Sequence, residues 1–309
     1  MTRDFFNRKN ELNLLRTKYE LLGKGELLAV YGRRRVGKTE LVKEFMNKLP
    51  QKEKFYFYVD LSSKQEILNS LSTALQEQLG ESIKFGDFDS FFDYISKKSE
   101  SGKFLLTIDE FQRFLDVAPE FITKLQNRWD SDLKHKKILV IVVGSSIGMI
   151  KKITESKAGA LYGRALKVKI SPFRYVDFRL MFKDLNETEK VERFSVFGGT
   201  PYYLDKTRSM QTTIQAISEL ILKKGGALVE EPKNLLEYEN VRIHAKYNSI
   251  LHAIASGKGE FINRSRLVYP KEKNAMRPIN TIGNKFFRLL LQCIFGYYQF
   301  GSRQAIYSF

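Results

Sequence analysis

The chain predicts an α/β fold, a parallel sheet flanked by helices and followed by an all-helical region. Apolar strand-like runs alternate with helical segments up to about Ser171, the order that right-handed crossovers turn into a parallel sheet. The first of these runs ends in Gly32-Arg33-Arg34-Arg35-Val36-Gly37-Lys38-Thr39, directly ahead of a helix. A later run ends in paired acids, Asp109-Glu110.

Taken in order, residues 8–22 carry Leu12, Leu15, Tyr19 and Leu22 on one helical face. Residues 26–31 read as a buried strand, and 39–48 as a helix with Leu41, Val42, Phe45 and Met46 turned inward. A second strand at 55–60 is followed by helices around 64–79 and 88–99, then by the strand 104–108 that ends in Asp109. A short helix is expected from Phe111 to Leu115. Residues 138–143 are almost all branched aliphatics, as in a central strand covered on both faces. A last strand is expected at 166–170. Beyond it, 174–182, 187–197, 211–223 and 242–256 read as helices. The composition therefore divides the chain into a sheet domain (1–172), a helical lid (173–240) and a basic tail (241–309).

A length of 309 residues, 43% of them hydrophobic, accommodates one large domain and a smaller one. The net charge of +17 points to an acidic partner, nucleic acid first and a membrane surface second, unless it only solvates a Lys-rich surface. A single cysteine, Cys293, allows no internal disulfide and suits a reducing cytoplasm. No signal peptide is read in Met1-Thr2-Arg3-Asp4, and no transmembrane segment is expected. The most apolar stretch, 286–300, is broken by Arg288, Gln292 and Gly296. His135, His244 and His252 are too scattered to suggest a metal site.

Gly32 to Thr39 fits the phosphate-binding P-loop, G-x-x-x-x-G-K-[ST]. Gly32 and Gly37 permit the tight turn, and backbone N–H groups, with that of Val36 among them, cradle phosphates at a helix N-terminus. Lys38 is expected to neutralise the β- and γ-phosphates and Thr39 to ligate Mg²⁺. Arg33, Arg34 and Arg35 occupy the unrestricted positions, where they either face solvent or touch phosphate or a partner. Asp109 is the second Mg²⁺ candidate, and Glu110 the base for an attacking water, unless it serves only the N-terminus of the next helix. Ser145, after the 138–143 strand, either senses the γ-phosphate or caps a helix. Such a set suits an ATP-hydrolysing switch or motor. No Asn-Lys-x-Asp segment follows the Asp109 strand, which argues against GTP.

Further segments extend these motifs: Phe5-Phe6-Asn7-Arg8-Lys9-Asn10-Glu11-Leu12, Ile108-Asp109-Glu110-Phe111-Gln112, Gly144-Ser145-Ser146, Leu161-Tyr162-Gly163-Arg164 and Gly199-Thr200-Pro201. With them, residues 5–256 resemble the archaeal ATPase family of STAND-class P-loop NTPases, relatives of AAA+ proteins. The resemblance implies an added strand between Walker A and Walker B, a helical lid, and a winged helix beyond it. It implies that Arg8 and Glu11 pack near adenine and that Pro201 closes over the base. Arg164 would contact the γ-phosphate, in cis or as a finger to a neighbouring subunit in a nucleotide-dependent oligomer, unless it makes a structural ion pair. Tyr202 and Tyr203 are expected in the lid core, with stacking on the base as the alternative.

Residues 248–257 look like the first helix of the winged domain, after which the resemblance decays. From Lys273 onward no acidic residue occurs, while Arg277, Lys285, Arg288 and Arg303 do. This end reads either as a divergent basic tail that binds nucleic acid or as a truncated or frame-shifted gene end. The functional expectation is a STAND-like ATP switch acting on a partner protein or DNA. A DNA-acting AAA+ ATPase of initiator or loader type, or a nucleotide-binding module without turnover, are the alternatives.

Overall fold

A computed structural model of the chain describes residues 5–156, 159–231 and 234. The expected helix at 242–256, the 241–309 tail, His244 and His252 lie outside the described residues. The backbone divides into two compact units, the first ending at Ser171 and the second beginning at Pro172.

The first unit is built on five parallel strands, β1 (Glu26–Tyr31), β2 (Lys54–Tyr58), β3 (Phe104–Asp109), β4 (Ile138–Gly144) and β5 (Ala165–Lys169). They lie in the order β2-β3-β4-β1-β5. β3 therefore sits two places from β1, with β4 between them, and β2 forms one edge. Every position of β3 and β4 is buried, which is why these two strands read as unbroken apolar runs. At the edge, the Gln78 side chain imitates a further strand: it accepts from the Tyr56 N–H at 2.9 Å and donates to the Tyr56 carbonyl at 2.7 Å.

Helices α1 (Lys9–Glu20) and α2 (Lys38–Met46) pack on one face of the sheet, against Leu28, Val30, Leu139 and Ile141. The opposite face carries α3 (Lys64–Leu79), α4 (Phe88–Glu100), the one-turn α5 (Phe114–Val117), α6 (Pro119–Ser131) and α7 (Ile147–Glu155). Alternation along β1 assigns Leu27 and Ala29 to this second core. α3 and α4 begin with capping boxes, Ser63 with Glu66 and Asp87 with Ser90. Gly80, at φ 74°, ends α3.

The segment after Glu110 differs from the continuous helix expected there. A 3-10 turn (Phe111–Arg113) leads into α5, and the chain then breaks at Ala118 (φ −158°, ψ 67°) because Pro119 follows. Proline opens α6 as its first residue, and Phe121, Ile122, Leu125 and Trp129 face the core. Phe88, Phe91, Phe92, Phe111, Phe114 and Phe121 form one aromatic cluster in which Phe114 and Phe121 stack at 3.9 Å.

Among the described residues the second unit contains α8 (Tyr175–Met181), α9 (Glu187–Phe197), α10 (Pro201–Thr207) and α11 (Thr213–Ile217), the last continued by a π turn over Ser218–Leu222. Arg193, fully buried, donates to the Thr207 and Met210 carbonyls at the end of α10. Glu189 accepts from the N–H and hydroxyl of Thr213, so α9 holds both neighbouring helix ends. Gly199 is required where the chain crosses Phe173, because a Cβ there would lie 1.8 Å from the Phe173 carbonyl oxygen.

Phe121→Ala should open a cavity in the aromatic cluster and lower stability by about 3–5 kcal/mol, read from the denaturant midpoint. A loss within ordinary surface-mutation scatter would show that the cluster repacks.

Candidate nucleotide site

All five strands point the same way, so their C-terminal ends form one rim, where ligands bind in open α/β sheets. Tyr31 pairs with Gly144 and Lys169 at this rim, and Tyr58 pairs with Asp109. The loop from Gly32 to Gly37 leaves β1 here and turns into α2. A Cβ on Gly32 would lie 2.2 Å from the Ile170 carbonyl oxygen, so the loop can pass only as glycine. Arg35 (φ 66°) and Gly37 (φ 87°) adopt left-handed backbone, which turns the loop into the helix N-terminus.

Lys38, 6% exposed, lies along the loop and donates to the Arg33 carbonyl at 2.9 Å. Burial pushes its pKa down, and the Glu110 and Asp109 carboxylates oppose that shift. Thr39 donates its hydroxyl to Asp109 Oδ2 at 2.6 Å, and the Tyr56 hydroxyl donates to the same oxygen at 2.8 Å. Burial and the Asp109 charge push the Tyr56 phenol up, so it remains a donor. Asp109 is 1% exposed, and its Oδ1 accepts from the Glu110 N–H at 2.8 Å. Hard oxygen donors on a hydroxyl and a carboxylate, already in contact, fit Mg²⁺, which takes few protein ligands.

Glu110 has left-handed backbone (φ 54°, ψ 37°), which ends β3 and sends its side chain away from Asp109's path. Its side chain caps no helix. Oε2 accepts instead from the Ser145 hydroxyl at 2.8 Å and from the Gln112 side-chain amide. The capping role considered for Ser145 falls to Ser146, whose hydroxyl accepts from the Met149 N–H. Arg113 lies 4.0 Å from Glu110 Oε2, donates to the Val59 carbonyl and stacks over the Tyr58 ring. Tyr56 and Arg113 were not singled out from the sequence, and Gln112 entered there only as the last residue of the 108–112 segment, without a role. Strand alternation turns Tyr56 away from Phe55 and Phe57, but no motif marks it.

The remaining candidates fall into separate places. Arg8, 8% exposed, donates to the Val36 carbonyl (3.1 Å), the Ser171 carbonyl (2.6 Å) and Glu11 (3.2 Å). It is thus bonded to the backbone of the P-loop itself. Arg33 is exposed, and Arg34 is close enough to Lys38 to oppose its charge. Arg164 makes a bidentate pair with Asp130 of α6, at 2.8 and 2.6 Å. It precedes β5, whose first residue pairs with Leu27, at the N-terminal end of the sheet. At roughly 3.3 Å per residue this is ~13 Å below the rim. Pro201 is the first residue of α10 in the second unit.

A parallel sheet in this order, a P-loop and two successive carboxylates at the end of β3 define a P-loop ATPase of AAA+-like architecture. The chain belongs to the family of ATPase domains found predominantly in Archaea, whose profile matches residues 5–207. An uncharacterized protein of Methanocaldococcus jannaschii is 27% identical over 254 residues, 82% of this chain and 54% of the relative, so the chain spans about half that relative's length. An uncharacterized ATP-binding protein of the same organism is 52% identical over 42 residues, 14% of this chain and 70% of the relative. Among solved structures, the Walker-type ATPase of Pyrococcus abyssi is 19% identical, with 94% and 97% of the two chains covered and a TM-score of 0.65. The Aeropyrum pernix ORC2 protein in its ADPNP–ADP complexes is 14% identical, with 96% of each chain covered and a TM-score of 0.52.

Arg8→Ala should leave the Val36 and Ser171 carbonyls without this donor. Denaturant titration should show a loss of about 1–3 kcal/mol, and titration with nucleotide a weaker binding, because the loop loses its support. Wild-type values for both would remove Arg8 from the site.

Proposed function

We propose that the chain hydrolyses ATP as a slow STAND-like switch. The observation that carries this reading is the contact chain at the sheet rim, in which Thr39 meets Asp109 while the next residue, Glu110, is held by Ser145. Backbone N–H groups of residues 32–37 and the α2 N-terminus bind the phosphates, with Lys38 as the buried cation. Thr39 and Asp109 would hold Mg²⁺, which when bound would neutralise charge on the phosphate oxygens. Glu110 takes a proton from water as the water oxygen bonds the γ-phosphorus and the bond to the β–γ bridging oxygen breaks, leaving ADP and phosphate. Ser145, bonded to the base, is the group through which the γ-phosphate's presence is felt. Arg8 and Glu11 stand at the adenine end of the loop, and Pro201 reports closure of the lid. We place the protein in the cytoplasm.

Arg164 belongs to a neighbouring subunit's site in this reading. Its distance below the rim counts against action in cis, and its pair with Asp130 is the structural ion pair that stands as the alternative to a finger role. Asp130 is held ionised by that same pair. The partner is a protein or DNA. The net charge of +17 and the acid-free stretch from Lys273 favour DNA as the second reading.

Glu110→Gln should lower turnover by about 10²-fold or more with ATP binding retained; equal turnover would sink the mechanism. Duplex DNA added to the same assay should stimulate turnover, with the effect fading as salt rises, if DNA is the partner, and no binding at low salt excludes it. Trans action has its own test. Arg164→Ala and Lys38→Ala chains, each slow alone, should regain turnover when mixed, whereas a mixture no faster than its parts would end the finger role.

A further inference from the structure

We infer that Gln112 is the residue that positions the base Glu110, an inference that rests on the ATPase reading above. Gln112 follows Glu110 by two residues, in the 3-10 turn Phe111–Arg113, and is 6% exposed. Its Nε2 donates to Glu110 Oε2 and, at 3.2 Å, to Ser145 Oγ, while Ser145 donates to the same Glu110 oxygen. The three side chains close a ring. Among the described residues both donors converge on Oε2 and none meets Oε1. The ring thus fixes the rotation of the carboxylate and leaves Oε1 as the acceptor for a proton from water.

Three features show that the amide is held in this orientation. Gln112 Oε1 is buried and no described group donates to it, so it is the nitrogen end that is satisfied. Turning the amide over would set its oxygen against the Glu110 carboxylate and forfeit both bonds. The end of β4 also makes room for the head group, because a Cβ on Gly144 would lie 2.7 Å from Gln112 Oε1 and 2.4 Å from an Ile150 side-chain carbon. The turn carrying Gln112 is fixed from behind by the fully buried Phe111 and Phe114, and from the front by the Arg113 N–H bonded to the Glu110 carbonyl at 2.9 Å. A side chain serving only to pack would not need its amide aimed at a carboxylate.

The test uses the full chain with Gln112→Met, which keeps size and loses the donor. Steady-state ATP turnover should fall roughly 10- to 100-fold, as for a misplaced catalytic group, with ATP affinity by direct titration unchanged. Combined with Glu110→Gln, it should cost nothing further, because the group it positions is already disabled. Gln112→Leu, which also lacks the donor and adds no charge beside Glu110, should behave alike and carries the test if Gln112→Met does not fold. Wild-type turnover in these variants, a loss explained by weaker ATP binding, or an additional loss in the Glu110→Gln background would each overturn the role. If Glu110→Gln itself turns over normally, the assignment of the base fails first, which separates that failure from this one.

Discussion

Parallel registry between β1, β3 and β4 fixes how close Gly32, Asp109 and Ser145 can come, and every later feature of the site follows from it. Tyr31 stands opposite Gly144 and Ile108 opposite Val142, so the residues after each strand emerge side by side at one rim. Slipping any of these strands by one residue would turn its side chains to the other face and set Leu27 and Ala29 in the wrong core. The register is held by burial on both faces, not by the polar site, since β3 and β4 have no exposed position. The chemistry therefore rests on hydrophobic packing that would persist without it.

Three left-handed residues then convert this frame into a site. Arg35, Gly37 and Glu110 are each forced off the extended or helical path, and two of the three carry side chains that disfavour such backbone. At Glu110 the turn keeps two neighbouring carboxylates at one rim, with Asp109 bonded to Thr39 and Tyr56 and Glu110 to Ser145 and Gln112. Continued extended backbone would have placed them on opposite faces of β3. The strain is offset by the Glu110 N–H bonded to Asp109 and by the buried phenylalanines directly behind it.

Much of this frame was legible in the sequence because strands buried on both faces read as apolar runs and the P-loop has fixed spacing. The five strands were readable within a residue or two of their ends, but their lateral order, with β4 between β1 and β3 and the 55–60 strand at the edge, was not read. α6 was not read from the sequence although Phe121, Ile122, Leu125 and Trp129 carry helical spacing, because the Ala118-Pro119 break separates it from the turn that follows Glu110. The roles of Tyr56 and Gln112 went unread for a different reason. Tyr56 meets Asp109 across the sheet, 53 positions away, and no local pattern encodes such a meeting. Gln112 lies within the 108–112 segment, two residues from Glu110, but the sequence does not show that its amide turns to the carboxylate and to Ser145.

Arg8 illustrates how a residue legible as a motif acquires its reason only from geometry. Its guanidinium serves two carbonyls and a carboxylate lying in different directions, on Val36, Ser171 and Glu11. An ammonium is a point charge on a flexible stem, whereas the planar fork offers donors already spread in fixed directions. The backbone of Arg8 is left-handed, as is that of Asn7 before it, at the point where α1 begins. The first helix of the chain is thus tied to the phosphate loop and to the last residue of the first unit by one side chain, 28 and 163 residues away in sequence. The same guanidinium nitrogen bonds the Val36 and Ser171 carbonyls, so one side chain joins the phosphate loop to the end of the first unit without passing through the sheet.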